Sequence, residues 1–208
     1  MEKLLEQHRM KLPNVLAQYL PSFSVDFVQN LLFAHPVLFH VHAPRKSKLG
    51  DFRPIQKHYT YHHITVNQNL EPYTFLITTL HEIAHLITYI RYENAVLPHG
   101  KEWKQCFSEL IGVFLDKNHF PPLIEEALKK YAKNIKATSC SDVQLQKALL
   151  LSENPEAVTL DTLPMGQKFM LQGNIFQKIS KQRTRYLCLN LNNKQHYCVL
   201  AHVPIQPL

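Results

Sequence analysis

Glycine is scarce in this chain, five of 208 residues against thirteen prolines, which points to ordinary elements joined by rigid connections. No run of eighteen apolar residues exists, so no transmembrane helix is expected. The opening MEKLLEQHRMKLPNV mixes acids and bases and lacks an apolar stretch, so it does not read as a secretory signal; the cytoplasm is the expected compartment. Cys106, Cys140, Cys188 and Cys198 are widely spaced and form no C-x-x-C. A zinc ribbon is therefore unsupported, and ordinary thiols in a reducing compartment are expected. After Pro164 there is no Asp or Glu. That tail carries Lys168, Lys178, Lys181, Arg183, Arg185 and Lys194, six of the seven net positive charges. The shift marks a boundary and a candidate polyanion-binding surface.

What is present is an apolar fraction of 45%, enough for a proper core, arranged in recognisable periods. The first 35 residues predict two short helices punctuated by Pro13 and Pro21, with Ser24 as N-cap of the second. VLFHVHA (37–43), KLGDFRPI (48–55) and YTYHHITVN (59–67) predict a small antiparallel meander. A long helix is predicted over 73–92, with Leu76, Leu80, Ile83, Ile87 and Ile90 as its core-facing stripe. Thr74, Thr78, His81, His85 and Thr88 form a polar line about 140° round the axis. Helices over 101–116 and 121–134 follow. A linker over 137–165 holds one short helix, which Ser141 can cap. From Lys168 the pattern is β again, with turns at Gly173-Asn174, Lys181-Gln182 and Asn192-Asn193. A two-residue turn at Asn192-Asn193 would set Cys188 opposite Tyr197 and turn the two thiols to opposite faces, whereas a three-residue loop would pair them.

The chemistry concentrates in TLHEIAHLITYIRYENAVLPHGKEW, Thr79 to Trp103. His81 and His85 lie one turn apart on one helix face and can chelate a single ion. Glu82 projects beside them, where it could take a proton from an attacking water and return it to a leaving amine. The helix runs about 10 Å past His85 at 1.5 Å per residue. Asn94–Pro98, extended, is long enough to span that distance back and deliver His99 as third ligand. Gly100 lets the backbone turn there without a side-chain clash. The competing reading is a helix with polar residues on its solvent side.

HEIAHLITY, PHGKEW, the preceding ITVNQNLEPYTFLITTL and the upstream RKSKLGDF together resemble the SprT-like family of zinc metallopeptidases over about residues 10–135. That family includes the Spartan proteases that act on DNA–protein crosslinks. The resemblance implies one zinc ion at His81, His85 and His99, with Glu82 as general base and Trp103 as packing. Many members continue into a cysteine zinc ribbon; here a basic β-rich tail stands instead.

Other candidates stay open. His58, His62 and His63 on the third strand could assist an oxyanion or a second metal, or be ordinary strand residues. Tyr61, Tyr89 and Tyr92 are conceivable oxyanion donors with nothing to choose among them. Lys178, Lys181, Arg183 and Arg185 are candidate nucleic-acid contacts; Lys181, Arg183 and Arg185 alternate, so on a strand they would share a face, with Phe176, Tyr186 and Tyr197 nearby for stacking. A solvated basic face or an acidic protein partner would explain the same tail.

The expectation is an α+β protein with three parts. Residues 1–136 form a zincin-like domain with a small antiparallel sheet and an HExxH helix, 137–165 a linker, and 166–208 a basic β-rich module. It would be a zinc-dependent endopeptidase acting on proteins, DNA-associated ones among them, with DNA as a partner of the tail and no membrane. The alternative is a non-catalytic nucleic-acid- or transcription-associated binding protein with a structural zinc site.

Overall fold

The computed structural model describes residues 2–45, 47–56, 60–135 and 142–208. It is a mixed α and β structure with a small sheet and a separate antiparallel sheet. The chain divides into two compact units, Met1–Phe120 with Leu128–Ser139 and Pro121–Ala127 with Cys140–Leu208. Among the described residues, no helix is long and apolar enough to cross a membrane.

In the first unit, α1 (Glu2–Tyr19) continues past Pro13 rather than ending there. Burial of Leu12 and Leu16 on one face offsets the lost backbone hydrogen bond. A 3-10 turn (Ser22–Ser24) leads into α2 (Val25–Phe33). Ser24 does stand at the N-cap, but its hydroxyl donates to the Pro21 carbonyl (2.7 Å) instead of capping the helix.

The expected antiparallel meander is corrected to a mixed sheet. Strands β1 (Val37–His42), β2 (Gly50–Arg53) and β3 (His62–Asn67) lie in the order β1-β3-β2. β1 pairs with β3 in parallel, and β2 pairs with it antiparallel. The segment between β1 and β2 therefore carries the chain past β3 to the far edge. Asn67 holds that segment. Its Nδ2 donates to the Lys48 carbonyl (2.9 Å), and its Oδ1 accepts from Arg45 (2.8 Å).

Helix α3 (Pro72–Tyr92) starts with Pro72 in its first turn, where the missing N–H costs nothing. Leu76, Leu80 and Ile83 are buried as the stripe predicts, but Ile90 is 42% exposed near the end. The polar line is not a solvent face: Thr78 and Thr88 are buried and His81 and His85 half-buried. Helix α4 (Lys101–Gly112) ends four residues before its expected limit, and the chain turns at Asp116 and Asn118 through positive φ. Helix α5 (Pro122–Lys133) follows; its residues from Leu128 onward belong to this unit. Around α3 the core is Phe75, Leu76, Leu80, Ile83, Trp103 and Phe107.

In the second unit, α6 (Val143–Glu153) is capped by Asp142, which accepts from the Gln144 and Leu145 amides (both 3.1 Å); Ser141 lies outside the described residues. Strands β4 (Lys168–Leu171), β5 (Asn174–Gln182), β6 (Arg185–Asn190), β7 (His196–Leu200) and β8 (Gln206–Pro207) form an antiparallel sheet in the order β7-β6-β5-β4-β8. Two of the three expected turns fall one or two residues from where the sequence suggested them, while the third keeps the register of a turn centred on Asn192-Asn193. Leu171 pairs with Asn174 and Gln182 with Arg185, so Gln172-Gly173 and Arg183-Thr184 make the corners. Cys188 pairs with Tyr197; its thiol is buried while that of Cys198 is exposed, the two pointing to opposite faces. Cys140 lies outside the described residues.

Lys178 is inside this unit's core, 2% exposed, and not on a nucleic-acid surface as expected. Its ammonium donates to the carbonyls of Leu160 (2.6 Å) and Leu163 (2.5 Å) and lies 3.7 Å from the Tyr186 ring centroid. Burial lowers its pKa, with the Asp161 charge opposing. Lys178→Met keeps the stem but strands two buried carbonyls. Urea denaturation should show the second unit destabilised by about 2–4 kcal/mol; an unchanged midpoint would place the cation's partners in water.

Candidate metal centre

α3 puts His81 and His85 on one face because their spacing matches one helical turn. The chain then leaves the helix at Glu93 (φ 49°), crosses Asn94–Pro98, and re-enters with His99 (φ 58°) before α4. Two non-glycine residues in the left-handed region flank this loop, and such strain persists only where the surroundings fix it. Gly100 accepts a close approach that a side chain would not: a Cβ there would lie 2.9 Å from the Leu97 carbonyl oxygen.

The result is a triangle of imidazole nitrogens. Nε2 of His85 lies 2.9 Å from that of His99 and 3.3 Å from that of His81, and the third side is 3.2 Å. The three side chains could hold a metal ion. Trp103, the chain's sole tryptophan, packs its ring 4.6 Å from His81, 5.1 Å from His85 and 4.6 Å from His99, and is fully buried. Phe107 lies against His81 and Phe52 against His85.

The donor set fits a cation. Burial, then the neighbouring imidazoles, lowers the pKa of His81 to about 3 and that of His85 to about 4; burial, then Lys104, lowers that of His99. All three rings are thus neutral near pH 7, the form that ligates. A neutral imidazole has one donor and one acceptor nitrogen. Three Nε2 atoms meeting at a point cannot satisfy one another, whereas a cation at the centre takes all three lone pairs. A tetrahedral site with zinc–nitrogen bonds of about 2.0–2.1 Å has an edge of about 3.3 Å, close to the triangle's sides.

Glu82 does not join this set. It is 6% exposed and faces the start of β2. A Cβ on Gly50 would sit 2.5 Å from its Oε1, so only glycine leaves room for the carboxylate at that strand. The Phe52 amide donates to it. Burial, then the Asp51 charge, pushes its pKa up to about 8 against Arg45, Lys48 and that amide. Asp51 is itself clamped by Lys48 (2.7 Å) and Arg53 (2.9 Å). Gly50 and Asp51 lie in the RKSKLGDF stretch and Asn67 in ITVNQNL, but their roles depend on the β2–α3 approach and on the segment between β1 and β2, which no local pattern reveals.

The other candidates scatter. His62 accepts from the Ile55 amide (3.1 Å) and stays out of the triangle, as does His63, which stacks near His40. His58 lies outside the described residues. Of the three tyrosines, Tyr61 is buried and Tyr92 is 43% exposed; Tyr89 lines a cavity of about 180 Å³ that opens beside His85 and His99. Lys181, Arg183 and Arg185 are exposed around the β5–β6 hairpin end but do not share a face. A bulge between Lys178 and Ser180 sets Lys181 opposite Tyr186, while Arg185 faces Gln182, and Arg183 is in the turn. Phe176 and Tyr186 are buried, so they offer no stacking platform; Tyr197 is 39% exposed.

Comparison with known proteins gives one family model, described as the SprT-like family, which matches residues 26–123. Protein SprT of Glaesserella parasuis serovar 5 (strain SH0165) is 46% identical over 39 residues, 19% of this chain. The match spans about a quarter, 24%, of that protein's length. No solved structure matches.

Trp103 touches all three rings, so metal binding should be readable in its fluorescence. Titration with Zn²⁺ should change the emission and saturate at one equivalent, and His99→Ala should weaken binding by at least about tenfold. Full-strength binding by that variant would remove His99 from the ligand set.

Proposed function

We propose, on the premise that residues 26–123 make this chain a member of the SprT-like family, that it is a zinc-dependent endopeptidase with a zincin-like catalytic domain. The observation that carries the reading is Glu82, a buried carboxylate beside three converging imidazoles but not one of them. A purely structural zinc site has no use for such an acid. His81, His85 and His99 would hold the ion. Zinc there would supply Lewis acidity to a scissile carbonyl and to water, and a positive charge that draws the Glu82 pKa down. Glu82 takes a proton from the attacking water and passes it to the leaving amine. Gly50 and the Phe52 amide hold its carboxylate in place, and Trp103 holds the imidazoles.

Glu82→Gln should lower peptide hydrolysis by about 10²–10⁴-fold while zinc content stays at one per chain. Gly50→Ala should lower kcat by about 10²-fold with KM and zinc content kept, because it displaces the carboxylate alone. Proteolysis at the wild-type rate by Glu82→Gln would remove Glu82 as the general base, whereas a zinc-loaded wild-type chain that hydrolyses no peptide would favour the non-catalytic, nucleic-acid-binding alternative.

The acid-free tail makes DNA, or proteins held on it, the candidate partner. Lys181, Arg183 and Arg185 at the hairpin end supply exposed positive charge with no acid after Pro164 to cancel it. Replacing all three by Ala should reduce the slope of log K against log salt by about two to three in a DNA-binding titration. Lys178→Met should leave that slope alone. An unchanged slope in the triple variant would remove the hairpin from the interface.

A further inference from the structure

The cavity beside the imidazole triangle carries more information than the triangle does. Its volume is about 180 Å³, several times the ~30 Å³ share of one water in the liquid, so it has room for a side chain. His85, His99 and Trp103 are among the residues that line it. Thr88, Tyr89 and Glu93 from the end of α3 line it together with residues of the Asn94–Pro98 loop. Phe52, Pro54, Tyr89, Val96 and Leu97 give it apolar walls. Glu93, the residue at which α3 ends, is the acidic group in its lining, with Asn94 beside it, and no Lys or Arg lines it. Leu97 is 78% exposed, a large apolar side chain left on the rim.

An apolar lining that includes one exposed acidic residue, Glu93, suits a side chain built the same way, an aliphatic stem ending in a cation. A shorter aliphatic side chain would use the walls and leave the carboxylate idle. An acidic one would meet Glu93 with like charge. The geometry points to this cavity as a specificity pocket for a lysine or arginine of the substrate, adjoining the bond to be cut, with Glu93 as the selecting residue. The inference rests on the peptidase reading for the cutting, but not for the binding.

Two measurements separate those parts. The full zinc-loaded chain is given blocked peptides identical except for one residue, which is Lys, Arg, Leu or Glu. Binding is read from Trp103 fluorescence, since Trp103 lines the same cavity, and cleavage is read by mass spectrometry. Lys and Arg peptides should bind about five- to tenfold tighter than the Glu peptide and more tightly than the Leu peptide. The gap should shrink as ionic strength rises. Glu93→Gln should bring Lys and Leu peptides level, and Glu93→Lys should reverse the order of Lys and Glu, with zinc affinity unchanged in both. A Leu preference, or a Lys preference that survives Glu93→Lys, would overturn the pocket assignment. If Lys peptides bind with this Glu93 dependence yet stay uncut, the pocket stands and the peptidase reading falls.

Discussion

Three lone pairs pointing at one small volume is the constraint on which the first unit is built. Three imidazole nitrogens about 3 Å apart cannot all be satisfied by hydrogen bonds among themselves, whereas a cation between them takes all three lone pairs, so the polypeptide must force the approach. It does so from three directions. α3 supplies two rings at fixed spacing, the loop from Glu93 to His99 brings the third through two strained residues, and the buried Trp103 plate touches all three. The neutral state of the rings follows from that burial. The packing that costs the protein charged histidines is therefore what makes the group a ligand set.

A second constraint sits where β2 meets α3. Glu82 needs to be near the triangle without entering it, and the mixed sheet provides the means. Because β3 lies in the middle, β2 is brought to the edge against α3, and the glycine at its start is the sole residue type that leaves the carboxylate its space. Asn67 ties the preceding segment down and so fixes Arg45 and Lys48, whose charges act on Glu82. One strand order thus links a buried asparagine, a glycine contact and the state of a carboxylate.

The second unit shows how charge counts mislead when burial is unknown. Six basic residues without an acid read as one surface, yet Lys178 is consumed by carbonyls and an aromatic ring inside the core. The β-bulge next to it shifts the alternation, so Lys181 and Arg185 part to opposite faces. Alternation predicts a shared face only along one strand; the Arg183-Thr184 corner puts Lys181 on β5 and Arg185 on β6, and the bulge then sets which residues face each other.

Much was nevertheless legible in the chain itself. Helical spacing placed His81 with His85, chain length allowed His99 to return, and periodicity located nearly every helix and strand, because these depend on neighbours within a few residues. The register of Cys188 with Tyr197 was among the alternatives for the same reason. Strand order, the continuation of α1 through Pro13, the burial of Lys178 and the Gly50–Glu82 contact were not legible. Each is decided by groups distant in sequence competing for the same space and the same hydrogen-bond partners. The sequence determined which residues could ligate and where local structure would put them; only tertiary packing decided that three rings converge, that one carboxylate stands apart beside them, and that a cavity with a single acid opens at their edge.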